Sequence, residues 1–190
     1  MNTFRILVAV AALTASSSSA ATYRIDPVHS AVTFTVRHFV TKIHGSFTKF
    51  TGTFDYDAKA PVNSKVDVKI DPASIDTHVE KRDNHLRGGD FFDVAKCSEM
   101  TFKSTKVELT GDKGKLHGIL TMHCVTKPVV LDLELGGEAK DPKGNAYFGA
   151  SATGKLNRAD WDISAFKGMI GDDVSINIDV EAKPAVSSKS

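Results

Sequence analysis

The sequence predicts an all-β fold of about eight antiparallel strands with one short inserted helix. Apolar and polar residues alternate strictly in four segments, as in strands with one buried and one wet face. Turn-forming residues separate the segments at 111–114, 136–137 and 141–145, and only one segment has a helical pattern. Closure into a barrel would leave no sheet edge, and a two-sheet sandwich is the alternative.

Residues 1–20 predict a secretory signal peptide. Arg5 supplies a positive charge, residues 6–13 form a short apolar run, and small residues continue to Ala20. The run is too short to cross about 30 Å of hydrocarbon. We therefore expect cleavage near Ala20 and an exported protein with no integral membrane segment. A single domain is expected over 21–184, followed by a flexible tail at 185–190.

Four segments alternate from one residue to the next: 31–38, 65–70, 129–135 and 174–180. One face of each is apolar, so these residues should point into the barrel. The predicted inward residues are Val32, Phe34, Val36, His38, Val66, Val68, Ile70, Leu131, Leu133, Ile176 and Ile178. An apolar interior suggests an apolar ligand, although an ordinary packed core would show the same periodicity.

Less regular strands are predicted at 44–57, 100–109, 115–124 and 146–156, with a short further strand at 161–163. In the first of these, Gly45 and Gly52 are candidate positions for a bulge or bend. Phenylalanines are the strongest candidates for lining the interior, with plain core packing as the alternative. They are Phe47, Phe50, Phe54, Phe91, Phe92 and Phe102, together with Phe34.

The predicted helix covers residues 77–86 and stops at two glycines. Thr77 precedes Glu80 by three positions, which is a capping-box pattern. The polar residues Arg82, Asp83 and His85, beside Thr77, would rim the mouth of a barrel and bind a ligand head group. The structural alternative, which we favour, is that Arg82 and Asp83 pair and pin the helix to the sheet.

His85 and Asp90 could likewise form a buried polar pair.

Charge and motif content argue against several functions. The chain has 24 Lys+Arg and 23 Asp+Glu, which is too balanced to indicate a nucleic-acid partner. Its seven histidines form no His-x-x-x-His, and neither Cys-x-x-Cys nor Gly-x-Ser-x-Gly occurs. We therefore predict no catalytic residue, no metal site and no catalytic cofactor, and hence no enzyme.

The two cysteines are Cys97 and Cys124. In an exported protein, which matures under oxidising conditions, a disulfide between them is plausible. It would contribute roughly 3 kcal/mol in the chain-entropy model. Two unpaired thiols remain the alternative, because sequence does not place the two Cβ atoms.

A series of short motifs follows one another along the chain: YRIDPVHS (23–30), VTFTVRH (32–38), GSF (45–47) with FTGTF (50–54), SIDT (74–77), KRDNHL (81–86) with DFFD (90–93), GILT (118–121) with VTKPV (125–129), and NRAD (157–160) before GDDVSI (171–176). In this order they resemble the YceI-like family of periplasmic polyisoprenoid-binding proteins. Each motif is weak by itself. Together they span nearly the whole mature chain, which makes the match specific.

The resemblance implies an extended lipocalin-like barrel in the periplasm that carries a polyisoprenoid, such as a quinone or polyprenyl lipid. This sequence departs from the family at Cys124 and Asp162, where the family usually has glycine, and at Ser98, where it often has proline. A disulfide peculiar to this protein would fit those departures. Two other functions stay open: a stress-response interaction module with a filled core, and a metal or thiol redox protein. A homodimer through the loops also stays open.

Overall fold

The computed structural model describes residues 20–57 and 59–185, and these form an antiparallel sheet of eleven strand segments with one α-helix. The strands are β1 (Ala21–Ile25), β2 (Ala31–His38), β3 (Thr41–Phe47), β4 (Phe50–Tyr56), β5 (Lys65–Ile70), β6 (Ile75–Asp76), β7 (Met100–Thr110), β8 (Lys113–Met122), β9 (Val125–Lys140), β10 (Ala146–Asn157) and β11 (Ile170–Pro184), and the helix is α1 (Glu80–Arg87). Single 3-10 turns cover Pro61–Asn63, Pro72–Ser74 and Arg158–Trp161. The predicted signal peptide and tail lie outside the described residues, apart from Ala20 and Ala185.

Eight of these segments close a ring. The hydrogen-bonded order is β1-β4-β5-β7-β8-β9-β10-β11, and β11 returns to β1 through the pair Tyr23↔Pro184. Three ring strands continue beyond an interruption in the chain: β2 continues β1, β3 extends β4, and β6 continues β5. These three segments lie side by side, since β2 pairs with β3 and β3 pairs with β6. The predicted eight-stranded antiparallel barrel with one short helix is confirmed, and the ring leaves none of its strands as an edge.

One predicted strand end and one predicted short strand are wrong for the same physical reason. The strand expected over 115–124 stops at Met122, because His123 and Cys124 turn with φ of 48° and 58°. The strand expected at 161–163 is replaced by a 3-10 turn that ends in Asp162, whose φ is 59°. Left-handed backbone of this kind breaks the extended ladder.

The two glycines expected at bulges serve another purpose. A Cβ on Gly45 would lie 2.4 Å from Cζ of Phe34, and one on Gly52 would lie 2.8 Å from Cδ1 of Ile25. Neither glycine lies at a register shift; one such shift is at Gly149/Ala150. Gly45 and Gly52 therefore make room for large side chains inside the barrel.

Connections alternate between the two ends of the barrel because its strands are antiparallel. We call one end the helix end: it carries the β2–β3 turn, residues 77–99 with α1, the β8–β9 turn and the loop 158–169. The opposite, far end carries the connections at 57–64, 111–112 and 141–145.

Aromatic rings pack inside the barrel near the far end. Tyr23 stacks on Phe54 with ring centroids 5.2 Å apart, and Phe148 contacts Tyr23, Phe54 and Tyr56. The Tyr23 hydroxyl donates to Oε1 of Glu138 at 2.5 Å. Burial, reinforced by this bond to a carboxylate, raises the pKa of Tyr23 to about 12. These rings therefore narrow the barrel interior near the far end, and the hydrogen bond from Tyr23 to Glu138 fixes one of them in place.

Candidate functional site

The barrel interior contains two adjoining cavities. One has a volume of about 190 Å³ and reaches toward the far end, and the other, of about 310 Å³, lies beneath α1 at the helix end. Phe47, Met122, Leu156 and Ile176 line both cavities. The two cavities therefore adjoin at these four side chains, and together they extend along the barrel interior.

The far cavity is lined almost entirely by apolar side chains. Of the predicted interior residues, it is lined by Val32, Phe47, Phe50, Phe54, Val66, Val68, Ile70, Phe102, Leu131, Leu133, Ile176 and Ile178. The hydroxyl oxygen of Ser64, also in its wall, is buried and has no hydrogen-bond partner among residues 20–57 and 59–185. A ligand in this cavity would be held mainly by apolar contact, and the Ser64 hydroxyl is available to one polar atom of it.

The helix-end cavity has both apolar and polar walls. Phe34, Val36, His38, Phe91 and Phe92 line it, so each predicted interior residue faces one of the two cavities. Its polar lining residues are His38, Thr77, Arg82, His85 and Arg158. The barrel interior is consequently amphipathic along its length, apolar toward the far end and partly polar at the helix end.

Thr77 forms a polar cluster with two residues of α1, the buried Asp83 and the half-buried Arg82. The amide and hydroxyl of Thr77 both donate to Oδ1 of Asp83, the amide at 2.9 Å. Arg82 in turn donates from Nε to the Thr77 hydroxyl at 2.7 Å and from Nη2 to the Thr77 carbonyl at 2.6 Å. Asp83 does not line the cavity, whereas Thr77 and Arg82 do.

This cluster corrects two expectations. Thr77 does not cap α1, which begins at Glu80 after an N-cap at Val79 that has no side-chain cap bond. Arg82 and Asp83 form no direct ion pair in the described part of the chain, because Thr77 lies between them as their common partner. The cluster still fixes α1 to the chain that leaves β6, which is the structural role expected for it.

His85 is half-exposed and belongs to a group of rings over the helix-end cavity. Its Nε2 lies 3.0 Å from Oδ2 of Asp90, and both side chains are about half in solvent, so the expectation of a buried pair is wrong. The His85 ring contacts Phe91 and Phe166 with centroids 5.1 and 5.5 Å away. Phe91 and Phe166 also stack on each other.

Arg158 was named in a motif but was given no role from sequence. Its side chain is 5% exposed and donates from Nη1 to the carbonyls of Ile163 and Ala165, both at 2.9 Å. Nη2 lies 3.3 Å from Oδ1 of Asp172. The guanidinium thus holds the loop after β10 against the start of β11, and it also lines the helix-end cavity.

Other cavity residues were missed because their strands alternate imperfectly. In β7 a register shift between Ser104 and Lys106 breaks the alternation, so the inward positions pass from Phe102 to Val107. In β8 and β10, glycines and alanines occupy inward positions and interrupt the apolar pattern. The missed residues of the far cavity include Val107, Leu109, Leu116, Leu120, Phe148, Ala150 and Ala152. At the helix end, Ile163, Phe166, Met169 and Ile170 lie in or beside a loop that has no periodicity to detect.

A disulfide joins Cys97 to Cys124, so the described residues contain no free thiol. It links the segment after α1 to the β8–β9 turn, at the helix end of the barrel. The alternative of two unpaired cysteines is not what the structure shows.

One group of surface side chains has the residue types and spacing of a cation site. Asp26, His29 and Glu181 place their ligand atoms within 4.8 Å of one another. Lys183 already supplies a cation there, since its Nζ donates to Oδ2 of Asp26 at 2.6 Å. Hydrogen bonds from Lys183 and His29 hold the pKa of Asp26 well below its usual range. The group is therefore satisfied as an ion-pair network.

None of the helices in the described part of the chain is long and apolar enough to cross a membrane.

Comparison with known sequences gives a consistent result. A family model described as YceI-like domain matches residues 23–182. Protein YceI of Escherichia coli O157:H7 is 40% identical over 170 residues, which cover 88% of this chain and 89% of that protein. A UPF0312 protein of Photorhabdus laumondii is 40% identical over 172 residues, covering 89% of this chain and 90% of its own.

Solved structures show the same barrel. A YceI protein of Campylobacter jejuni superposes with a TM-score of 0.72 at 37% identity, covering 78% of this chain and 90% of its own. Burkholderia cenocepacia BcnA has a TM-score of 0.76 at 20% identity over 84% of this chain and 99% of its own. A polyisoprenoid binding domain from Saccharophagus degradans has a TM-score of 0.63 at 13% identity, over 87% and 99%. The last two show likeness of fold alone.

Proposed function

Since this chain belongs to the YceI-like family, we propose that it is a binding protein, not an enzyme, and that it carries a long-chain polyisoprenoid in the barrel. The observation that carries this proposal is the pair of cavities that adjoin at Phe47, Met122, Leu156 and Ile176 inside the barrel. The structural neighbour named as a polyisoprenoid binding domain supports the same class of ligand.

The amphipathic lining suggests how the ligand would lie. A prenyl or quinone tail would occupy the far cavity, where contact is almost wholly apolar. A small polar head would lie in the helix-end cavity, near Thr77, Arg82 and His85. Thr77 and Arg82 are already engaged with each other, which would leave few donors for the head and would favour weak head-group selectivity.

Burial of the tail would supply enough free energy for tight binding. Each buried CH₂ contributes about 0.8 kcal/mol, so about twenty carbons offer on the order of 16 kcal/mol before the costs of association and of ordering the chain. Selection should therefore act mainly on the length and width of the tail.

The site of action proposed is the periplasm. The predicted signal peptide with cleavage near Ala20 supports export, and the Cys97–Cys124 disulfide is typical of an oxidising compartment. The hollow interior disfavours an interaction module with a filled core.

The test is mass spectrometry of an organic extract of the protein purified from the periplasm of its own host. We expect a polyisoprenoid in near-stoichiometric amount, and an N-terminus near Ala21. Leu156→Trp, which fills the junction of the two cavities, should remove most of the lipid. The matched control is Lys155→Trp, whose side chain is exposed on the outside of the same strand. Extracts without lipid from repeated preparations of folded protein would reject the proposal.

A further inference from the structure

The helix end of the barrel exposes a cluster of large apolar side chains, which we call the rim patch: Phe39, Val40, Phe166 and Met169. Their exposed fractions are 53%, 101%, 44% and 39%. Single exposed apolar residues are ordinary, but a contiguous group on two loops is typical of a surface that contacts something.

The two loops of the rim patch are joined to each other. The amide of Phe39, in the β2–β3 turn, donates to the carbonyl of Met169 at 2.8 Å. The guanidinium of Arg37 donates to the carbonyl of Phe39 at 2.7 Å. The two loops that carry the four apolar side chains therefore touch at the helix end, although they are far apart in sequence.

Cations flank the rim patch. Arg37 and Lys42 lie on either side of Phe39 and Val40, and Lys167 lies between Phe166 and Met169; all three are exposed. None of the three makes an ion pair with a carboxylate in residues 20–57 and 59–185. Apolar side chains flanked by unpaired Lys and Arg are the features of a segment that lies in the interface of an anionic bilayer.

The rim patch also adjoins the proposed ligand site. Phe166 and Met169 are partly exposed and at the same time line the helix-end cavity. A prenyl chain that leaves this cavity into water would expose its tail, at a cost of about 0.8 kcal/mol per CH₂. A bilayer held against the rim patch would receive the tail without that exposure.

We infer that the rim patch docks the barrel on an anionic membrane surface, with Phe39 and Val40 inserted among the lipids and Arg37, Lys42 and Lys167 at the head groups. The use of this contact in lipid exchange rests on the proposed carrier function, whereas the docking itself does not. Arg158 and the Phe91–Phe166 stack would hold the loop 158–169 in position while it is docked.

The experiment is sedimentation of the full-length mature protein with vesicles of phosphatidylcholine, with or without phosphatidylglycerol. We expect binding that requires phosphatidylglycerol and weakens with salt. Lys42→Gln with Lys167→Gln should weaken binding roughly fivefold per lysine, and Val40→Asp roughly tenfold or more. The matched controls are Lys140→Gln at the far end and Val28→Asp, an 82% exposed valine outside the rim patch. Both controls should bind like the wild type.

The lipid content of each variant, measured on the same samples, separates this inference from the proposed function. Val40, Lys42 and Lys167 line neither cavity, so their variants should keep the bound lipid. Protein that contains lipid but binds vesicles equally well in rim and control variants, or binds none, overturns the inference. If the protein docks through the rim patch but contains no lipid, the docking inference stands and the proposed carrier function is rejected. If the rim variants change the oligomeric state instead of vesicle binding, the rim patch is an interface between two copies and the inference is wrong.

Discussion

Cys124 and Asp162 stand at positions where the family resemblance would imply glycine. Their φ angles are 58° and 59°, in the left-handed region where a side chain costs energy and glycine does not. Asp tolerates this region better than most residues, and Cys124 is held there by its disulfide. Both residues thus fall at turns, where the left-handed backbone breaks the extended ladder.

Tyr23 makes stability depend on pH in the alkaline range. Its pKa is raised from 10.0 to about 12, so the unfolded chain loses the phenol proton before the folded protein does. The stability that Tyr23 contributes is present below pH 10 and is lost as pH rises from 10 to about 12. Tyr23→Phe should remove this part of the alkaline loss, because phenylalanine has no proton to release.

Urea unfolding of the wild type and of Tyr23→Phe, from pH 8 to about pH 12, measures the effect. Tyr147→Phe is the control, since Tyr147 lies outside the ring cluster of the far end. If Tyr23→Phe and the wild type lose stability in parallel above pH 10, the bond of Tyr23 to Glu138 does not govern the titration.

Among the elements, the segment between α1 and β7 depends most on a single link. Its backbone hydrogen bonds are local, for example from Phe92 to Leu86 and from Cys97 to Asp93. The disulfide ties it to the β8–β9 turn across a sequence separation of 27 residues. Without that link, the segment that covers the helix-end cavity would gain conformational freedom.

Removal of the disulfide should lower the free energy of unfolding by about 3–4 kcal/mol, from the chain entropy of a loop of this length. Urea unfolding with and without reductant measures the loss. Cys97→Ser with Cys124→Ser should match the reduced wild type and should not respond to reductant. A wild type that is equally stable in both conditions would show that the segment is held by its other contacts.

Strict alternation located four strands correctly but gave the full bounds of only two. β2 and β5 have the predicted bounds, whereas β9 and β11 extend beyond the predicted 129–135 and 174–180 at both ends. The breaks between β1 and β2, β3 and β4, and β5 and β6 were not predicted. At Pro72–Ser74, for example, a 3-10 turn capped by Asp71 interrupts the strand, and such a local turn does not alter the apolar pattern on either side of it.

For the whole molecule, the length of the hollow should decide which lipid is held. Ala152 lines the far cavity, and its neighbour Thr153 on β10 is exposed on the outside. Ala152→Phe would occupy part of that cavity, and each carbon displaced costs about 0.8 kcal/mol. We therefore expect the extracted lipid to shift to shorter tails or to fall in amount, whereas Thr153→Phe should leave it unchanged.

Mass spectrometry of the two variants prepared side by side gives the tail lengths. An unaltered tail distribution in Ala152→Phe, in protein shown to be folded by circular dichroism, would mean that the tail does not reach the far cavity.

Alternation along the chain was sufficient to predict antiparallel strands and many of the residues on their inner face, since the face that a side chain takes is set by its position in the strand. The choice of a barrel over a sandwich came from the family resemblance. The hollow between those faces could not be predicted, because inward-facing apolar residues are the same in a filled barrel and in an open one. The roles of the buried Arg158 and of the rim patch could not be predicted from the sequence either. They depend on which loops meet at one end of the barrel, as when the turn at Phe39 contacts the loop at Met169, and that follows from strand order and closure, on which local pattern carries no information.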